Sequence, residues 1–250
     1  MPPSVINGVQ SFFSKGSAER GVLLLHGFLG NPGELIYCAE KFRNAGFTVS
    51  VPRYPGHGTT IDEMAASSVD AWFTAAREAY MELASIVDRV YIAGLSMGGL
   101  FSLRIAGEFP VERICLISVP RGLPMTVCLA PVIGLFVKVI PPSNNKKGIN
   151  SPELREAHIC YHEGTPVKQV WQLNRFIRKT MRALPRVRSS VLILQSDGDE
   201  VIPRDSADYI FNRIGSHEKK KFIFRKSNHV ITNDYDREEA AEMMLRFFSC

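Results

Sequence analysis

The chain has 250 residues, 45% of them hydrophobic, with 30 Lys and Arg against 25 Asp and Glu and a formal net charge of +5. That length and apolar content suit one domain with a full core and exclude a disordered or multidomain chain, and so small a basic excess calls for no nucleic-acid partner. No CxxC, HExxH, GxxxxGK[ST] or GxGxxG pattern occurs, so neither a metal nor a nucleotide cofactor is expected.

The first residues, Met1 to Val5, lack a basic start followed by an apolar core, so no secretory signal is read and a cytoplasmic location is expected. Val22–Leu25 predicts a buried strand that runs into His26-Gly27-Phe28, a polar turn at Gly30-Asn31-Pro32-Gly33, and an amphipathic helix ending near Gly46. A loop of this kind, rich in backbone N–H groups, can supply one of the two donors an acyl-transfer enzyme aims at its oxyanion, and Phe28 is the residue nominated. His26 reads as a brace for the turn and not as a general base. Thr48–Val51 predicts a second strand, and Arg53 to Gly58 a glycine-shaped loop in which His57 is structural. Trp72, Ala76, Tyr80, Leu83 and Val87 recur at helical spacing over 70–87 and face the core.

Val90–Ala93 predicts a strand, Gly94-Leu95-Ser96-Met97-Gly98 a sharp turn, and Leu100 to Glu108 a helix. This is the strand, turn and helix context of a nucleophile elbow, with Ser96 as nucleophile and the Met97 N–H as second oxyanion donor. Taken alone, the pentapeptide also fits a turn that merely caps a helix. After a strand at Arg113 to Ser118, the stretch from Pro120 to Leu184 exceeds a simple crossover, so a cap insertion is expected over about 120–185 of a single domain spanning 1–250. The run Met125 to Val137 is apolar but too short and too broken by Pro and Gly to span a bilayer. Met125, Leu129, Ile133, Leu135 and Phe136 are expected to line an acyl pocket, or to pack the cap onto the body. Seven cations between Lys168 and Arg188 interleave with Trp171, Leu173, Phe176 and Ile177, the pattern of a solvated amphipathic helix; any lipid-surface contact is expected to be transient. The five cysteines show no close pairing and read as reduced, packed thiols.

Val191–Gln195 predicts a strand followed by a loop holding Asp197 and Asp199, and Lys221–Phe224 a last strand followed by Asn228-His229 and a terminal helix over Arg237 to Phe248. Serine, acid and histidine thus follow successive strands, and in a parallel sheet the carboxyl ends share one edge. A serine hydroxyl is a weak nucleophile at neutral pH; His229 can take its proton and return it, and a carboxylate behind the imidazole fixes its tautomer. One of the two aspartates suffices for that, and the other caps its loop.

The motifs HGF, GLSMGG, SDGDEVIP and SNHVITND resemble those of bacterial carboxylesterases and monoacylglycerol lipases of the α/β-hydrolase superfamily, and the likeness runs over almost the whole chain. The resemblance implies an α/β-hydrolase fold, a mostly parallel central sheet flanked by helices with a small cap. It also implies an acyl-enzyme hydrolysis of short-to-medium acyl esters without cofactor. It places the acid on Asp199 and the oxyanion donors on Phe28 and Met97. In monoacylglycerol lipases a cap acid holds the glycerol head group, with Glu156 and Glu163 as candidates here. Monoacylglycerol hydrolysis, acyl transfer on the same scaffold and a non-catalytic hydrolase-like receptor are the alternative functions.

Overall fold

The computed structural model describes residues 8–123, 134, 137–141, 148–157 and 164–250. Its strands are β1 Phe12–Ser14, β2 Arg20–Leu25, β3 Thr48–Val51, β4 Arg89–Leu95, β5 Arg113–Ile117, β6 Val139–Ile140, β7 Thr165–Pro166, β8 Ser190–Ser196 and β9 Lys219–Phe224. Seven of them form one sheet in the order β1-β3-β2-β4-β5-β8-β9. Only β1 runs antiparallel to its neighbour within that sheet; every other pairing is parallel.

The apolar runs of β2, β4, β5 and β8 follow from burial on both faces. Alternation along each strand sends Leu23, Leu25, Ile92, Ile114, Leu116, Val191 and Ile193 into the core of one face. Val22, Leu24, Tyr91, Ala93, Cys115, Ile117, Leu192 and Leu194 go into the core of the other. The first face is covered by α3 Val69–Ala84, α4 Met97–Glu108 and α7 Ser206–Arg213, the second by α1 Ile36–Asn44 and α8 Arg237–Ser249. Helix α3 begins where the Ser68 hydroxyl accepts the Ala71 N–H, satisfying one of its orphan donors. It ends at Ala84, three residues short of the expected end, and Val87 is buried beyond it.

Three elements lay outside expectation. β1 is a three-residue edge strand with Phe13 largely exposed, α2 Ile61–Ala66 is a short helix capped by Thr60, and α7 is a short amphipathic helix after β8 that buries Ala207 and Ile210. Between β5 and β8, the described residues hold the β6–β7 ribbon, the short helix α5 Pro152–Ala157 and the long helix α6 Val167–Ala183. Helix α6 packs against α4 and α3 through Leu173, Phe176 and Ile177. Lys168, Arg175, Arg178, Lys179 and Arg182 face outward, the solvated arrangement their spacing implied. Cys38 and Cys115 are free and buried, as expected of packed thiols; Cys250 departs from that reading, since it is exposed at the end of α8.

Candidate active site

Ser96 occupies the junction of β4 and α4 with φ 54° and ψ −113°, a left-handed conformation that a non-glycine residue adopts only when its surroundings compel it. Its N–H donates to the Ile117 carbonyl at 2.8 Å, extending the ladder one residue past β4. The neighbouring glycines serve close approach, since a Cβ on Gly94 would lie 2.3 Å from the Gly98 backbone and one on Gly98 would lie 2.0 Å from the Leu25 carbonyl. The strain therefore sits on the serine, and the glycines let α4 press against β2 and β4. That places Ser96 above the carboxyl edge of the sheet and Met97 at the amino end of α4.

His229 and Asp199 come from the loops after β9 and β8. Nδ1 of His229 donates to Asp199 Oδ2 at 2.8 Å, so the imidazole is held as the tautomer with Nε2 available as a base. The other carboxylate oxygen of Asp199 accepts the N–H groups of Val201 at 2.8 Å and Ile202 at 3.1 Å. Asp199 is buried, whereas Asp197 is exposed. Asn228 ties the two loops together: its Oδ1 accepts the N–H of Glu200 at 3.1 Å and of His229 at 2.9 Å. Below it, Asp234 accepts the N–H groups of Asn150, Ser151, Asn228 and Tyr235, each at 2.8 or 2.9 Å. The histidine loop and the segment at Asn150-Ser151, from the stretch between β5 and β8, are thus fastened to one buried carboxylate.

A cavity of about 300 Å³ opens over this edge. Ser96, His229, Gly27 and Phe28 line it together, so the nucleophile, the base and the early loop face one space. Leu123, Ile149, Leu173, Val201, Ile202 and Val230 supply an apolar wall, and Glu34 and Arg155 add two ionisable side chains. Sequence reasoning did not single out Glu34, Arg155, Asn228 or Asp234. The signal that could have found Glu34 is an acid just ahead of the amphipathic helix α1, seven residues after Gly27.

The expected pocket residues Met125, Leu129, Ile133, Leu135 and Phe136 lie outside the described residues, as does Glu163. Glu156 is exposed on α5 and does not line the cavity. Both loop histidines act as braces. His26 is fully buried with Nδ1 3.0 Å from the Gly27 carbonyl and Nε2 3.5 Å from the Tyr54 N–H, which makes Nδ1 the protonated nitrogen. His57 is buried edge-on against Trp72.

The sequence family described as "Serine aminopeptidase, S33" matches residues 16–236. The chain is 33% identical over 246 residues to the thermostable monoacylglycerol lipase of Bacillus sp. (strain H-257), covering 98% of this chain and 96% of that one. It is 28% identical to a carboxylesterase of Bacillus subtilis (strain 168), over 90% of this chain and 91% of the relative. The solved structure of a metagenome-derived lipolytic enzyme matches with a TM-score of 0.91 at 32% identity, over 98% of this chain and 99% of the other.

Proposed function

We infer, from the premise that the chain belongs to this serine hydrolase family within the carboxylesterase and monoacylglycerol lipase branch of the α/β-hydrolases, that it hydrolyses carboxylic esters through an acyl-enzyme. The observation that carries the reading is the shared cavity faced by Ser96 and by a His229 already bonded to Asp199.

In the proposed reaction, His229 Nε2 takes the Ser96 hydroxyl proton as Oγ attacks the ester carbonyl. The oxyanion that forms is held by the N–H groups of Phe28 and Met97, and Asp199 stabilises the imidazolium. The imidazolium then protonates the departing alcohol, and the acyl group stays on Oγ. Water, deprotonated by His229, attacks the acyl-enzyme; the carboxylic acid leaves and the serine regains its proton. Each carbonyl adduct collapses to a carbonyl, so no electrons are gained or lost.

The substrates are proposed to be esters of short-to-medium acyl groups, since the apolar wall suits one acyl chain and the cavity is small. Monoacylglycerol is the second reading, favoured by the identity to a lipase of that name. Residues 120–185 act as the cap of one domain. The proposed setting is cytoplasmic, in keeping with the buried free thiols of Cys38 and Cys115. No nucleic-acid partner is proposed; among the described residues no helix is long and apolar enough to cross a membrane.

The test is turnover of p-nitrophenyl esters, aminoacyl p-nitroanilides, monoacylglycerols and triacylglycerols by the wild type and Ser96→Ala. Ester cleavage that requires Ser96 supports the reading. Cleavage of the anilides alone, or ester cleavage that survives the substitution, overturns it.

A further inference from the structure

Glu34 is a buried carboxyl that the reaction above does not use. It belongs to a single 3-10 turn, Pro32–Leu35, started by the Asn31 side chain accepting the Gly33 N–H. This turn folds the carboxyl back against the loop that precedes it, where Oε2 accepts the Gly27 N–H at 3.1 Å. The Gly30 N–H donates to the Gly27 carbonyl at 3.2 Å and closes the loop around it. A Cβ on Gly30 would fall 2.3 to 2.5 Å from the carboxyl atoms, so the acid occupies the inside of the turn. A Cβ on Gly27 would stand 3.5 Å from both Glu34 Oε2 and Ser96 Cβ, so acid and nucleophile flank the same glycine. Leu29, at the top of the loop, has φ 60°, a strained value that needs such support.

The surroundings favour the neutral acid. Burial pushes the Glu34 carboxyl up to about 7, against smaller opposing pulls from the Gly27 N–H and from His229. The titratable groups around it are His229 from the loop after β9, with Asp199 behind it, and Tyr54 from the loop after β3, whose phenol is itself pushed up by burial and by Glu34. Arg155 enters the same cavity from α5, its Nε and Nη2 engaged by the carbonyls of Ile149 and Asn150.

We propose that Glu34 is a positioning residue for the oxyanion loop and works as the neutral acid: its carboxyl holds Gly27, and with it the Phe28 N–H, beside Ser96, and its ionisation impairs turnover. This rests on the ester-hydrolase reading of the same site. A carboxylate behind the loop opposes the negative charge forming in front of it, and does so strongly in a dry site. The compensating gain, attraction of the His229 imidazolium, is small because Asp199 already supplies that charge at 2.8 Å.

The experiment measures kcat and KM on p-nitrophenyl butyrate from pH 5.5 to 9 for the wild type, Glu34→Gln, Glu34→Ala and Ser96→Ala, with thermal melts as a check on folding. The wild-type kcat should fall as pH rises through about 7. Glu34→Ala should lower kcat about tenfold to a hundredfold with KM changed less than about threefold, the signature of misplaced and not missing binding groups. Glu34→Gln, which keeps an acceptor for Gly27, should recover most of that loss and lose the alkaline decline. A Glu34→Ala enzyme with wild-type kcat, or a Glu34→Gln enzyme that keeps the decline, overturns the proposal. If the alanine variant fails to fold, the pH profile of Glu34→Gln decides alone. Activity that survives Ser96→Ala would instead remove the ester-hydrolase reading beneath it.

Discussion

Asp199 Oδ2 and His229 Nδ1 stand 2.8 Å apart although thirty residues separate them in the chain. The relationship is set by β8 and β9, which pair in parallel from Val191 with Lys219 to Ser196 with Phe224, so that both following loops leave the same edge. The carboxylate reaches the imidazole already anchored by two N–H groups, and it can fix one tautomer without losing its own place.

Asp199→Asn should therefore lower kcat by about four orders of magnitude, because the amide stabilises the wrong tautomer and cannot balance the imidazolium. Asp197→Asn should alter kcat less than about threefold, since that side chain is exposed and away from His229. Steady-state kinetics on one soluble ester decides between them, and the reverse pattern would reassign the acid.

Ser96→Ala and His229→Ala should each lower turnover by about three to six orders of magnitude, with the double variant little worse than either. Two side chains that act on one proton cannot contribute independently. A serine-directed fluorophosphonate should label the wild type, label His229→Ala far more slowly, and spare Ser96→Ala. Labelling of Ser96→Ala to wild-type extent would place the nucleophile elsewhere.

These residues were legible in the sequence because each lies within a few residues of a strand end, and a parallel sheet gathers strand ends along one edge. Ser96 carried the strongest local signal, as the glycines around it are required by approaches of 2.0 to 2.3 Å that no Cβ could survive. Glu34 was not legible, because its importance depends on a turn folding its carboxyl back onto Gly27, seven residues earlier. Asp234 was hidden for a similar reason: two of its four N–H partners, Asn150 and Ser151, come from more than eighty residues earlier in the chain. The cavity wall defeated periodicity altogether. Leu173 shares the buried face of α6 with Phe176, Ile177 and Met181, and nothing in its spacing separates a side chain that lines a cavity from one that packs α4.

Removing Asp234 should be costly. Asp234→Ala leaves four buried or half-buried N–H groups without their acceptor, and a loss of about 2 to 5 kcal/mol in chemical denaturation is expected. Near-wild-type stability would show that water replaces the carboxylate at little cost.

Glu34 should make stability depend on pH in a defined direction. Its carboxyl ionises near 4.5 when unfolded and near 7 in the folded chain, so its contribution is complete below about 4.5 and lost as pH rises to about 7. The difference amounts to about 3 kcal/mol. Glu34→Gln should then gain stability relative to the wild type between pH 4.5 and 7 and hold that gain at pH 8. Urea titrations at pH 4.5, 6 and 8 measure it; a difference between the two proteins that does not change with pH would mean that Glu34 ionises normally.

The acyl site can be tested on Leu173, which lies on α6 and lines the same cavity as Ser96. If the apolar wall receives the acyl chain, each methylene that fits gains up to about 0.8 kcal/mol, or about fourfold in kcat/KM, until the space is full. Activity on p-nitrophenyl esters should then climb from acetate and fall again at longer chains. Leu173→Trp fills part of that space from a helix that contributes nothing to the triad, so it should lower the ratio of octanoate to acetate turnover at least about tenfold and move the optimum to shorter chains. A ratio that stays constant while both activities drop would mean that the tryptophan has displaced α6 from α4, which is damage to packing; the acyl chain would then lie along another wall. Triacylglycerol turned over faster than monoacylglycerol would contradict the same picture, because a cavity of about 300 Å³ beneath α6 admits one acyl chain and a small alcohol more readily than a bulky glyceride.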